Sequence, residues 1–139
     1  MPTPFATDAW IKALMAELNQ SETYRAAAKD WEGDFYFVVN AGSVPQAIYL
    51  YMDLWHGACR AAHAVTNPAT QSPEFVIEAS LPTWRKVIEK KLDPIQGMIM
   101  RQLKLTGPML KVVRAPKAAT ELVACCTRIE TEWPNEKEG

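Results

Sequence analysis

Three side chains capable of nucleophilic or basic chemistry fall within eight positions: His56, Cys59 and His63. A thiolate with an imidazole base is a pairing used for covalent group transfer, and it needs both groups within hydrogen-bond reach. The spacing argues against that use. If Gly57 to Val65 is a strand, Cys59 and His63 share a face but stand about 13 Å apart along it. His56 and His63 are separated by an odd number of positions and point to opposite faces, so they do not share a metal ion. Asp53 and Glu78 lie in candidate strands and would make a carboxylate pair for acid–base work if they faced each other. Each would equally well pair with Arg60, Arg85 or Lys104, since single charges on a half-exposed strand normally point to solvent. Cys125 and Cys126 are adjacent, and no second Cys or His pair stands at zinc-ligand spacing. The chain has no G-x-S-x-G elbow, no glycine-rich phosphate loop and no H-E-x-x-H. The expectation is a protein with no catalytic residue, no metal site and no cofactor.

The elements that would position any site must come from 139 residues. That length suits one domain spanning 1–139, with a polar tail from about residue 131. Fifteen basic residues against sixteen acidic ones give a net charge of -1. A balance this even carries no electrostatic footprint for nucleic acid or for an anionic membrane. Three cysteines cannot form a fully paired framework within the chain, which suits a reducing compartment. The segment Met1-Pro2-Thr3-Pro4-Phe5 does not read as a signal peptide. No stretch approaches the ~18 apolar residues of a membrane span. A cytoplasmic location is expected.

Hydrophobic period then divides the chain. Thr7 or Asp8 caps a helix carrying Trp10, Ile11, Leu14, Met15 and Leu18 at helical spacing, and Ser21 restarts a second helix. Phe35 to Val39 is aromatic and β-branched, as a strand covered on both faces would be. From Ala47 to Trp55 the pattern alternates: Ile48, Leu50, Met52 and Leu54 face one way, and Tyr49, Tyr51, Asp53 and Trp55 the other. Gly57 to Val65 and Phe75 to Ala79 read as two further strands. Ser80 and Pro82 open a helix with Trp84, Val87, Ile88 and Leu92 on one face, and Asp93-Pro94 opens another with Ile95, Met98 and Ile99. Leu103 to Gly107 is a last short strand, and a final helix opens at Pro116. Strands grouped together predict an α+β fold: about five strands in a largely antiparallel sheet, with helices packed on one face.

The second half gathers large apolar side chains in short helices broken by Pro94, Pro108 and Pro116. Irregular helices and adaptable methionines over a sheet bearing Ala58, Ala61, Ala62 and Ala64 could leave an apolar hollow. Composition alone favours plain filled core over such a hollow.

The stretch from Glu74 through Leu81-Pro82-Thr83-Trp84, Leu92-Asp93-Pro94 and Met98-Ile99-Met100 to Arg101, followed by Leu103-Lys104-Leu105-Thr106-Gly107, resembles the sterol carrier protein type 2 domain. The likeness runs from near Gly33 to the last helix, and the element order agrees. The family motif continues Gly-Lys-Leu-Lys-hydrophobic-x-Gly; here Arg101 replaces its first Gly, Gln102 its Lys, and Pro108 follows Gly107. The resemblance implies a five-stranded sheet with helices on one face, enclosing an apolar tunnel for a fatty acid, fatty acyl-CoA or sterol-like molecule, without catalysis. Carried over position by position, it implies a lining of Trp84, Ile88, Ile95, Met98, Ile99, Met109 and Leu110. Arg85, Arg101 or Lys104 would meet a charged headgroup at the mouth.

The expected role is therefore binding and intracellular carriage of a lipid or fatty-acid-like small molecule, with no nucleic-acid partner and with transient membrane contact. Trp55 and Tyr51 on a sheet edge would support a dimer; otherwise the chain is a monomer. The competing reading is an accessory module of the same fold, its cavity filled, that docks onto a lipid-metabolising enzyme. A thiol enzyme or small hydrolase using Cys59, His56 or His63 is the remaining alternative.

Overall fold

The computed structural model describes residues 2–134. A two-residue strand, β1 (Thr3–Pro4), leads to Thr7, whose hydroxyl accepts the Trp10 N–H at 3.2 Å and starts α1 (Asp8–Gln20). Ser21 repeats the device with the Tyr24 N–H at 3.1 Å, ending α1 and opening α2 (Glu22–Ala27). Each cap satisfies a backbone donor that the first helical turn leaves orphaned.

Strand β2 (Glu32–Val39) runs antiparallel to β3 (Ile48–Trp55). His56 and Gly57, with φ of 50° and 81°, form the two-residue turn into β4 (Ala58–Val65). Positive φ at both central residues gives the twist that tight hairpins favour. A Cβ on Gly57 would lie 2.7 Å from the Arg25 carbonyl oxygen, so the turn packs on α2 only because glycine occupies it. A 3₁₀ turn (Pro68–Thr70) precedes β5 (Phe75–Ala79). Ser80 caps α3 (Leu81–Ile88), and Asp93 caps α4 (Pro94–Ile99), its carboxylate accepting the Gln96 N–H at 2.9 Å. Then come β6 (Lys104–Thr106), α5 (Met109–Val113), α6 (Pro116–Cys126) and β7 (Thr131–Glu132), which pairs in parallel with β1.

The main sheet has the order β4-β3-β2-β5-β6. Its pairs are antiparallel except β2 with β5, so the sheet is mixed. The parallel pair arises because the chain passes across β3 and β4 before returning to the free side of β2. Phe35, Phe37 and Val39 on β2, with Leu50, Met52 and Leu54 on β3, face the helices. The alternate residues Tyr36, Val38 and Tyr51 form a small cluster on the opposite face. The Tyr36 hydroxyl donates to the Pro68 carbonyl at 2.9 Å, fastening the 66–73 loop over that cluster.

Several expectations need correction. The residues skipped by the register between Asp53/Leu54 and Ala61/Cys59 mark a β-bulge at Arg60. An extra residue reverses the strand's parity. Cys59 therefore faces the helical core while His63 stacks beside Tyr51 on the other face, at 5.2 Å between ring centroids. The alanines of β4 do not border a hollow. Helix α1 lies along this edge strand: Asn19 binds the Cys59 backbone and the Asp8 carboxylate accepts the Ala64 N–H at 2.9 Å. Small residues such as Ala62 let the helix approach. Trp55 and Tyr51 sit on β3, an interior strand, so they do not form a sheet edge. The tail expected from residue 131 begins as structure, since Thr131–Glu132 is β7 and the Trp133 ring lies 4.5 Å from that of Phe5. The charged run Glu136-Lys137-Glu138 lies outside the described residues.

Candidate functional site

Along the inner face of β2, Phe35 and Phe37 stack at 5.2 Å, and the row is extended by Trp31 and Phe75 at one end and Trp84 at the other. Two-residue spacing on a strand puts both phenylalanines on one face. With Val39, Leu50, Leu54 and Ile77 they make the floor of a cavity of about 130 Å³. Trp10, Ile11 and Leu14 of α1 and Tyr24 of α2 wall one side. Trp84, Val87 and Ile88 of α3, Met98 of α4, Val112 of α5 and Ala118, Leu122, Val123 and Cys126 of α6 close the rest.

No lining side chain carries a charge. The indole N–H groups are turned to the protein: Trp84 donates to the Val38 carbonyl at 2.8 Å, Trp10 to the Thr131 hydroxyl at 3.0 Å and Trp31 to the Gly33 carbonyl at 3.2 Å. Ring faces and aliphatic groups make up most of the wall, with the Tyr24 hydroxyl and Cys126 thiol the polar groups among the lining residues. Burial pushes the Tyr24 hydroxyl and the Cys126 thiol well above their ordinary ranges, so both are neutral. Most lining residues are buried, whereas Trp31, Phe37, Pro94, Ala115, Ala119 and Leu122 keep partial exposure, the last four gathered in the region α4 to α6. The cavity thus approaches the surface among α4, α5 and α6.

Of the seven residues expected at the site, Trp84, Ile88 and Met98 line this cavity. Ile95 packs half-buried against the core outside it. Ile99, Met109 and Leu110 are exposed to solvent. The inward positions are Pro94 and Met98 on α4 and Val112 on α5. Sequence reasoning missed the α1 wall and the β2 floor, although the helical face of Trp10, Ile11 and Leu14 and the alternation of Phe35 and Phe37 are both visible there. Both patterns read equally as filled core, because nothing in sequence separates core from cavity wall.

Other candidate chemistry is dispersed. Cys59 is buried and its thiol is pushed up to about 12, principally by desolvation, which removes the thiolate that nucleophilic attack requires. His56 pairs with Glu32 at the start of the sheet. Asp53 and Glu78 are separated by β2; Asp53 takes both ends of the Arg60 guanidinium fork, at 3.0 and 3.2 Å, and Glu78 stands opposite Lys104. Asp34 does lie across from Asp53, but it accepts the Tyr51 hydroxyl at 2.9 Å and the Glu74 N–H at 2.7 Å. The two carboxylates are thus held by different partners. Among the described residues, no group of three or more His, Cys, Asp or Glu side chains could hold a metal. No helix among them is long and apolar enough to cross a membrane.

A mixed five-stranded sheet with six helices folded over an uncharged cavity defines an α+β domain of the lipid-carrier type. The chain belongs to the SCP-2 sterol transfer family, whose model matches residues 11–117. This family binds and transfers sterols and other lipids, and its domains are typically non-catalytic. A crystal structure of sterol carrier protein 2 superposes with a TM-score of 0.81 at 36% identity, covering 90% of this chain and 98% of that one. The solution structure of a conserved hypothetical protein from Thermus thermophilus, described as possibly a sterol carrier protein, gives 0.83 at 36% identity over 95% and 94% of the two chains. Apo sterol carrier protein 2 from Yarrowia lipolytica shares the fold, at a TM-score of 0.58 and 15% identity over 84% and 88%. No curated protein matches the chain with significance.

Proposed function

We propose that this protein binds one fatty acid, fatty acyl-CoA or sterol-like molecule in the cavity between β2 and the helices, and carries it without chemical change. The observation that carries this reading is the continuous uncharged lining, with each tryptophan N–H already bonded to protein. Each methylene moved from water into such walls contributes about 0.8 kcal/mol, so ten contribute about 8 before association costs. Discrimination between neighbouring chain lengths is weak, about 1–3 kcal/mol per methylene. These terms suit a carrier, which must also release its cargo.

At about 130 Å³ the hollow is close to the ~150 Å³ that accommodates a benzene in an engineered core, so a long chain enters only as the walls part. The movable wall is the region α4 to α6. Its helices α4 and α5 are short, Pro94, Pro108 and Pro116 break it into separate helices by standing at their starts, and Met98 adapts to what it packs against.

Organic extraction of the purified protein followed by mass spectrometry, together with titration of a fluorescent fatty acid, tests the role. Co-purified lipid or saturable binding is expected. Ala119→Trp, which places an indole at the half-buried rim, should weaken that binding at least tenfold while the fold persists by circular dichroism. Absence of both lipid and binding removes the carrier reading. The small volume of the hollow favours a second reading, an accessory module that docks onto a lipid-metabolising enzyme with its cavity closed; that reading predicts no cargo and a stable complex with the enzyme.

A further inference from the structure

The segment from Pro94 to Thr120 holds five of the chain's fifteen basic residues, Arg101, Lys104, Lys111, Arg114 and Lys117, and none of its sixteen acidic ones. The near-zero net charge of the whole conceals this. Lys111 is engaged, pairing with Glu74 at 3.1 Å, but Arg101, Lys104, Arg114 and Lys117 are exposed. Interleaved with them are four of the five large hydrophobic residues found exposed: Ile99 at 51%, Met100 at 68%, Met109 at 38% and Leu110 at 64%. Exposed aliphatic side chains at this density are costly unless something covers them.

Their placement is ordered by the cavity. Met98 of α4 and Val112 of α5 point inward onto the same hollow, so both helices lie over it. Ile99 and Met100, at the end of α4, and Met109 and Leu110, at the start of α5, project outward at either end of the three-residue strand β6. Four of the cavity's six partly exposed lining residues, Pro94, Ala115, Ala119 and Leu122, belong to the same region, α4 to α6. Glu74 meets Lys111 and Glu78 stands opposite Lys104 at the β6 side, while Arg101, Arg114 and Lys117 lie beside the aliphatic tips. Aliphatic tips amid cations match the boundary of an anionic bilayer, where alkyl groups enter the acyl region and ammonium or guanidinium groups meet phosphates.

We infer that the face formed by the end of α4, β6, α5 and the first turn of α6 docks onto anionic lipid membranes, with Ile99, Met100, Met109 and Leu110 inserting and Arg101, Lys104, Arg114 and Lys117 contacting headgroups. This gives the proposed carriage its point of exchange and rests on that reading for its purpose, though not for its binding. The occupant is a lipid surface rather than a second copy of the chain, because two such faces would bring like charges together.

Flotation of the full chain with vesicles tests it. Binding is expected to equal-parts phosphatidylcholine–phosphatidylglycerol vesicles, to fall at least tenfold on pure phosphatidylcholine, and to weaken with added salt. The double variants Met100→Ser/Leu110→Ser and Arg114→Glu/Lys117→Glu alter exposed side chains that do not line the cavity. Each should lose about tenfold or more in vesicle affinity while keeping fluorescent fatty-acid binding. Absence of vesicle binding, or binding that the variants leave unchanged, overturns the docking face. A concentration-dependent dimer abolished by Met100→Ser/Leu110→Ser overturns it too, assigning the patch to copies of the chain. Docking that fails while fatty-acid binding persists leaves the carrier reading standing; docking that persists without fatty-acid binding removes the carrier reading alone.

Discussion

Arg101 adopts φ of +60°, at the position where the family motif has glycine. A side chain in the left-handed region brings its Cβ against the carbonyl that follows, a strain glycine lacks. Relief of about 1–2 kcal/mol of that strain outweighs the ~0.4–1 kcal/mol of entropy a glycine adds to the unfolded chain. Arg101→Gly should therefore raise stability by about 0.5–1 kcal/mol in urea unfolding, and by the docking inference it should also weaken vesicle binding. Cys59 makes a second residue-scale prediction. Burial lifts its folded pKa from 9.0 to about 12, so the unfolded chain is the first to lose this proton as pH rises. Stability from this group is complete below pH 9 and is lost as pH climbs towards 12. Thermal melts of Cys59→Ala should show a shallower decline over that window than the parent. Native thiols should also resist alkylation at neutral pH, since Cys59, Cys125 and Cys126 are all buried.

At the scale of elements, the edge strand β4 shows how a helix substitutes for a missing strand. The Asn19 side-chain amide accepts the Cys59 N–H at 2.8 Å and donates to the Cys59 carbonyl at 3.0 Å, while Asp8 takes the Ala64 N–H. These bonds satisfy backbone groups that an uncovered edge would present to other chains. Asn19→Ala leaves both Cys59 groups unpaired under α1 and should cost about 1–3 kcal/mol in denaturant unfolding. Helix α1 was legible in Trp10, Ile11, Leu14 and Leu18, and so were the caps Thr7, Ser21, Ser80 and Asp93, because those signals are local. The bulge at Arg60 was not. It leaves the alternation of β4 intact to the eye yet moves Cys59 and His63 to opposite faces. Likewise, the alanines of β4 announced small volume, and volume alone does not say whether a helix or a void adjoins it.

For the whole molecule, cavity and wall are coupled. By the proposed function, the helices α4 to α6 part to admit a long ligand into a hollow of about 130 Å³. Any ligand that binds only the folded chain stabilises it, by about 2.7 kcal/mol at a hundredfold excess over Kd. A long-chain fatty acid should thus raise the melting temperature, and α4, α5 and the start of α6 should gain hydrogen-exchange protection beyond the gain shared by β2 and β3. Uniform protection throughout the chain would instead place the ligand's effect on global unfolding and argue against a moving wall.

Sequence alone determined the order of the five main strands and of α1 to α4 and α6 around them, the grouping of strands that makes this α+β, and the inward set of β3. It could do so because hydrophobic period, caps and turns are written within a few residues of one another. Family likeness added Trp84, Ile88 and Met98 as cavity residues. Tertiary structure alone decided that α1 walls the hollow, that β5 lies parallel to β2, and that Ile99, Met109 and Leu110 turn to solvent. Those outcomes depend on which distant surfaces meet across the sheet, and an apolar residue looks the same in a sequence whether it faces a neighbour, a void or water.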